Sequence, residues 1–247
     1  MIQKMVTSAL IAGFGAGLLA ALLHFAFVQQ YILLGEQYES GALTHFETSA
    51  PPTAHDQGSD HAADAAEPAA GGHAHSHEAG EVSTLTRNSL TVLFAGLIYV
   101  AYALILMAGF GLAQSFGKVI TAREGLLWGI AGFASFQLAP ALGLAPELPG
   151  TIAADLTARQ IWWWGTVLST GTGLALLAYG RGYVAIAAAV LLLAVPHIIG
   201  APLPDAYWGA APPEVGAMFS ARVLGTALTV WAVLGWLAGY LWSQEKA

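Results

Sequence analysis

Cysteine is absent from the 247 residues. No disulfide framework and no thiolate metal site can therefore be built from this chain. Charge is nearly as scarce: Asp, Glu, Lys and Arg make up 9% of residues, 56% are hydrophobic, and mean hydropathy is +0.62. A soluble domain of this size needs a charged surface that this composition excludes. The eight basic residues are dispersed and leave no nucleic-acid footprint. No glycine-rich stretch ends in Gly-Lys-Ser/Thr, which excludes a P-loop ATPase, and there is no H-E-x-x-H metalloprotease motif. Only His24 and His197 lie in apolar segments, too few for a haem-ligand pattern spanning several helices.

What the chain has is apolar length. A helix takes about 20 apolar residues to span a bilayer. Six segments are candidates: Val6–Leu34, Leu90–Leu112, Gly125–Leu144, Ile161–Gly180, Tyr183–Gly200 and Phe219–Leu241. The predicted fold is all-α, a polytopic transmembrane bundle of six helices. The fifth segment is the shortest, and a five-helix bundle with that segment re-entrant is the alternative. Three regions follow: helix 1 over 1–35, an outer loop over 36–88, and helices 2–6 over 89–247. The first apolar run continues through Phe27 to Leu34, past the roughly 7–15 residues of a signal-peptide core. It is expected to be an uncleaved helix.

With a cytoplasmic N-terminus, Lys4, Lys118, Arg123, Arg181 and Lys246 fall inside, and Arg87, Arg159 and Arg222 outside. That bias fits the positive-inside rule and predicts both termini in the cytoplasm. All the acids except Glu124 and Glu245 then fall outside, a face attractive to cations.

Helix 1 carries small residues at steps of four, Ala9, Gly13, Gly17 and Ala21, with His24 one turn on. Such stripes let helices approach closely in lipid, so His24 is expected to face the bundle. The following loop is rich in Ala, Gly, His, Asp and Glu, lacks aliphatic periodicity, and is predicted to be disordered without a ligand. It holds His73-Ala74-His75-Ser76-His77, whose alternate imidazoles share one side of an extended chain. His55, Asp56, Asp60, His61 and Asp64 add nitrogen and oxygen ligands suited to first-row divalent metals. A solvated linker that binds metal incidentally is the competing reading.

His24 and His197 are the intramembrane candidates, both in the outer half of the predicted bundle. An ionisable group inside a membrane helix reads as functional by default; the alternative is two neutral histidines hydrogen-bonded to neighbouring helices. Pro196 frees a backbone carbonyl one turn earlier, for a neighbour or a bound cation to satisfy. Glu36, Glu39, Glu147, Asp155, Asp205 and Glu214 ring the same side. They read as a cation entrance or as solvated loop acids, some paired with Arg159 and Arg222. Ser169, Thr170 and Thr172 read as small polar packing residues rather than pore lining. Ala145-Pro146 and Ala201-Pro202 open similar proline-rich turns, which raises an internal hairpin repeat. Tyr99 and Tyr102 support no reading from spacing alone.

Glu36-Gln37-Tyr38-Glu39, Pro146-Glu147-Leu148-Pro149-Gly150, Arg159-Gln160 with Trp162-Trp163, and Pro196-His197 with Gly200-Ala201-Pro202 together resemble the CbtA family of cobalt transporter subunits. The resemblance covers nearly the whole chain outside the 50–80 loop. It implies an inner-membrane protein linked with cobalt uptake and a small single-helix partner with a histidine-rich tail. It points to His197, Glu147, Arg159 and Glu36; His24 comes from the depth argument.

The combined expectation is a non-enzymatic transporter subunit with no tightly bound cofactor and Co²⁺ as cargo. Metal would be captured by His55, His61, His73, His75 and His77, then held by His24, His197, Glu36 and Glu147. The rivals are an accessory or sensor subunit without a permeation path and a quinone-linked membrane enzyme.

Overall fold

The structure, a computed structural model, describes residues 2–45 and 83–244. The first rod is α1 (Ile2–Leu23), a π-helical turn (His24–Val28) and α2 (Gln29–Glu39). After α3 (Thr84–Ser115), the next rod is α4 (Ala122–Phe133), a second π turn (Ala134–Leu138) and the short α5 (Ala139–Ala141). Then follow α6 (Leu156–Tyr179), α7 (Gly182–Ile199) and α8 (Pro213–Gln244). These are the six helical runs expected. Among the described residues the only bridge between extended segments joins Thr151 and Gly209.

Four runs are long and apolar enough to cross a membrane: Met5–Glu39, Thr84–Ser115, Gly182–Ile199 and Pro213–Gln244. The fifth predicted segment is one continuous helix over Gly182–Ile199. The α4–α5 rod and α6 fall short because Trp, Gly, Ser, Thr and Gln dilute their apolar residues. Large apolar side chains such as Leu22, Leu93, Phe94 and Val184 stand exposed along the rods. That surface suits acyl chains, where only structures with internally paired backbones persist.

Helix starts follow local chemistry. Ser83 caps α3 by accepting from the Thr86 N–H, and Asp155 caps α6 by accepting from the Ala158 N–H. Thr121 and Glu124 form a reciprocal capping box at α4.

Lipid supplies no hydrophobic drive for helices to associate, so packing depends on close approach. Two pairs of rods achieve it. The predicted stripe of helix 1 lies against α3: a Cβ at Gly13 would stand 2.4 Å from the Val100 Cα, and one at Gly17 would stand 2.6 Å from the Gly96 Cα. The second crossing joins α4 and α8. Gly125 and Gly129 face Gly235 and Gly239, and a Cβ at Gly125 or Gly235 would stand 2.4 Å from a facing carbonyl oxygen. Helix α8 also packs on α1 and so links the two pairs. The α6–α7 hairpin is peripheral, joined mainly through the second π turn and α5. In α7 only Ala189 and Pro196 are buried.

Trp231 lies over Gly132, where a Cβ would meet its ring at 2.2 Å. The main core, including Met107, Phe110, Trp231 and Leu234, fills the half of the bundle toward the C-terminal ends of α3 and α8. At that end the Trp128 indole N–H donates to the Tyr179 hydroxyl at 2.8 Å, and Lys118 lies over the Tyr179 ring.

The crossing is tested by a matched pair. Gly235→Ala is expected to destabilise the protein by about 1–3 kcal/mol, the usual overpacking range. Gly165→Ala, with open space around it, should be neutral or stabilising by up to about 1 kcal/mol. Thermal unfolding in detergent, followed by circular dichroism, checks both; equal midpoints would remove the glycine crossing as the organising contact.

Candidate functional site

Two cavities lie in the half of the bundle toward the C-terminal end of α2 and the start of α3. The larger, about 560 Å³, is a partly open cavity bordered by α1, the first π turn, α3 and α8, and it meets the second π turn at Gln137. Its polar lining is His24, Thr91, Tyr99, Tyr102, Gln137 and Thr226. The smaller, about 330 Å³, lies between α5, the following turn and α6, and is lined by Gln137, Glu147, Arg159 and Gln160 among others. Gln137 lines both.

Each π turn contributes a polar residue to the larger cavity. His24 opens the first turn, where the Gln29 N–H donates to the His24 carbonyl; Gln137 lies in the second, where the Ala139 N–H donates to the Ala134 carbonyl. A π turn widens the helix and occurs often at functional sites. Pro140 supplies no N–H, so the Phe136 carbonyl four residues back loses its regular α-helical donor, which favours irregular winding there.

The cavity floor is aromatic. Tyr102 contacts Phe136 at 5.2 Å and Trp231 at 4.6 Å between ring centroids, and Phe136 stacks on Trp231 at 5.7 Å. Tyr99 meets Tyr102 edge-on at 5.9 Å. Thr91 and Thr226 turn their hydroxyls back to carbonyls of their own helices. The side chains of His24, Tyr99, Tyr102 and Gln137 hydrogen-bond to no described residue. Half-buried polar groups without protein partners are left for water or a ligand.

The sequence candidates fall in separate places. His24 is half-buried in the larger cavity, with Phe25 edge-on to its ring at 5.7 Å. His197 is exposed on α7, edge-on to Trp162 at 6.3 Å, and lines neither cavity. Glu36 accepts two hydrogen bonds from Arg87, at 2.8 and 3.1 Å. Glu147 accepts one from Arg159 at 3.0 Å. Both predicted metal carboxylates are thus ion-paired, and Arg159 pairs with one of the outer acids, as expected. Among the described residues no three His, Asp or Glu side chains form a metal-sized cluster. His55, His61, His73, His75 and His77 lie outside the described residues.

The Arg87–Glu36 pair also joins α2 to the start of α3. Gln29, two turns before Glu36 on α2, donates to Asn88, the residue after Arg87, at 3.1 Å, so α2 and the start of α3 are joined by two side-chain links. The two proline-rich turns meet as well: the Ile152 N–H donates to the Trp208 carbonyl, and the Ala210 N–H to the Gly150 carbonyl. Gly150 turns there with φ 76°, a conformation glycine adopts without strain. Ser220 of α8 holds the first turn by donating to the Pro146 carbonyl at 2.6 Å.

The carbonyl freed by Pro196 has a neighbour. Proline at 196 leaves the Leu192 oxygen without its helical donor, and the Ser169 hydroxyl of α6 donates to that oxygen at 2.6 Å. Ser169 therefore packs, as its composition suggested. Trp162 donates to the Pro196 carbonyl at 3.1 Å. Spacing alone did not reveal Tyr99, Tyr102 and Gln137 as lining. The readable signal was that all three are polar residues inside otherwise apolar runs.

The family described as "Probable cobalt transporter subunit (CbtA)" matches residues 2–243. No curated protein and no solved structure matches the chain.

The Ser169 bond is tested by a double-mutant cycle. Ser169→Ala should destabilise the protein by about 1 kcal/mol by stranding the Leu192 carbonyl. In a Pro196→Ala background the restored N–H can reach that carbonyl, and Ser169→Ala should be near neutral. Equal effects in both backgrounds, measured by detergent unfolding, would mean the hydroxyl answers some other need.

Proposed function

The chain belongs to the CbtA family of probable cobalt transporter subunits, and we propose that it carries a divalent transition metal, cobalt, inward through the cavity between α1, α3 and α8. The observation that carries this reading is the cavity's polar lining. His24, Tyr99, Tyr102 and Gln137 line one intramembrane space and bond to no described residue. Unpaired polar groups at membrane depth are costly and suggest a ligand path.

In this reading His24 offers an imidazole nitrogen, and Gln137 with the tyrosines offers neutral oxygens. Such a set binds weakly enough to release, as conduction requires. It does not discriminate against copper, which the Irving–Williams order favours, and neither does a histidine-rich loop. The histidines at 55, 61, 73, 75 and 77 collect metal on the outer face. Glu36 and Glu147 exchange their arginines for the arriving cation at the rim.

Both termini lie in the cytoplasm and the membrane is the inner one. An inside-negative potential contributes about 2.3 kcal/mol per charge per 100 mV, enough to move a divalent cation without ATP. The work is transport rather than catalysis, with no tightly bound cofactor. His197, exposed on the peripheral hairpin, meets the small histidine-rich partner subunit.

One observation favours a second reading. The half of the bundle below the aromatic floor is filled by packed core residues. An accessory subunit that binds metal and passes it to a partner's path needs no more than the half cavity.

Co²⁺ uptake into proteoliposomes with an inside-negative potential separates the two readings. Flux should survive deletion of residues 50–80 at high external metal. It should fall by about tenfold or more in His24→Ala, the effect of about 1.4 kcal/mol, and by less in His197→Ala. Folded wild type that carries no flux with or without the partner would sink the transport reading. Flux only with the partner, unaffected by His24→Ala, would favour the accessory one.

A further inference from the structure

We propose that Gln137 is the gate between an outer vestibule at the Glu147–Arg159 pair and the His24 chamber, so that the two cavities form one polar route. The inference rests on the transport reading for its cargo but not for its geometry.

Gln137 lines both cavities. Its carboxamide bonds to no described residue, so it is not committed to packing and can turn toward either space. The backbone beneath it is fixed. Phe136, the preceding residue, is gripped by Tyr102, Trp163 and Trp231, and Ala139 and Pro140, which follow, are buried. A mobile amide on an anchored π turn is the arrangement a gate needs. Its oxygen can replace one water of a cation's hydration shell, as carbonyl oxygens do in selectivity filters.

The other boundary of the His24 chamber is unsuited to a hydrated ion. Phe94 and Ile98 line it while being 57% and 49% exposed, so that side faces acyl chains. The vestibule, by contrast, has Glu147, Arg159 and Gln160 in its wall. A cation passing from Glu147 to Gln137 to His24 moves from a charged oxygen to a neutral oxygen to a nitrogen ligand.

The absence of cysteine makes the test direct, because any introduced thiol is the only one. Ala145→Cys reports the vestibule and Thr226→Cys the chamber. A cationic, membrane-impermeant methanethiosulfonate is applied to proteoliposomes from the side of the Glu36–Arg87 pair. Both thiols should react. Adding Gln137→Trp should slow modification at 226 by about tenfold, as a plugged constriction would, and leave 145 unchanged. A thiol at 226 that reacts at the same rate with Gln137→Trp, or does not react even with Gln137 present, overturns the gate.

If Gln137→Trp also abolishes modification at 145, Gln137→Ala decides the matter. A smaller side chain should speed modification at 226 and not at 145, and an unchanged or slower rate at 226 overturns the proposal. The readout needs no metal flux. A protein that labels in this pattern but carries no Co²⁺ keeps the gate and loses the transport reading. One that carries Co²⁺ while labelling regardless of residue 137 loses the gate alone.

Discussion

Close approach of α4 to α8 is the constraint from which the site follows. Two facing glycine pairs, Gly125 and Gly129 against Gly235 and Gly239, bring the two backbones into contact. Dispersion at that distance replaces the hydrophobic drive that lipid does not supply. The register of this crossing lays Trp231 over Gly132, another residue without a Cβ. Trp231 in turn holds Phe136 and Tyr102. The aromatic floor of the cavity is thus a consequence of glycine spacing two turns away. Because α8 also packs on α1, the same crossing sets the distance between α1 and the second π turn, and hence the width of the chamber.

The two ends of the bundle are held by different chemistry. Toward the C-terminal end of α2 and the start of α3, ion pairs, side-chain amides and backbone bonds between the two proline-rich turns make a polar rim. The Arg87–Glu36 pair is over a third exposed on both sides, so solvent screens it and it adds little stability. At the other end the core is close-packed and aromatic, with Phe110 edge-on to Trp128 and Trp242. A close-packed half changes shape only by switching to another packing, whereas the rim can yield bond by bond.

Much of this was legible in the sequence. Apolar length located all six rods, and the small stripe from Ala9 to Ala21 identified the face of α1 that meets α3. Pro196 announced an orphan carbonyl, and the polar residues of α6 held its answer in Ser169. The glycines of α4 and α8 were equally readable, four apart on each helix, but a glycine pair names no partner until the helices are adjacent. The π turns were not legible. Winding at His24–Val28 and Ala134–Leu138 depends on packing and on Pro140 as much as on the residues within the turn. Depth alone also gave no azimuth: His24 and His197 belong to the same half of the bundle, yet α1 lies beside α8 and α7 lies outside α6.

That separation bears on what kind of site the cavity can be. With His197 elsewhere and both carboxylates held by arginines, the groups the chamber could offer a cation are one imidazole and neutral oxygens. Neutral ligands do not offset a divalent charge well in a low-dielectric surrounding, so a resident metal would be poorly held there. A site for storage or structure would bring thiolates or carboxylates into contact with the ion, and this chain has no cysteine and keeps Glu36 and Glu147 at the rim. A site for passage has the opposite requirement, because an ion that is bound tightly does not leave. In the transport reading proposed above, charged groups at the rim and neutral ones within would let the membrane potential, rather than affinity, determine the direction of movement.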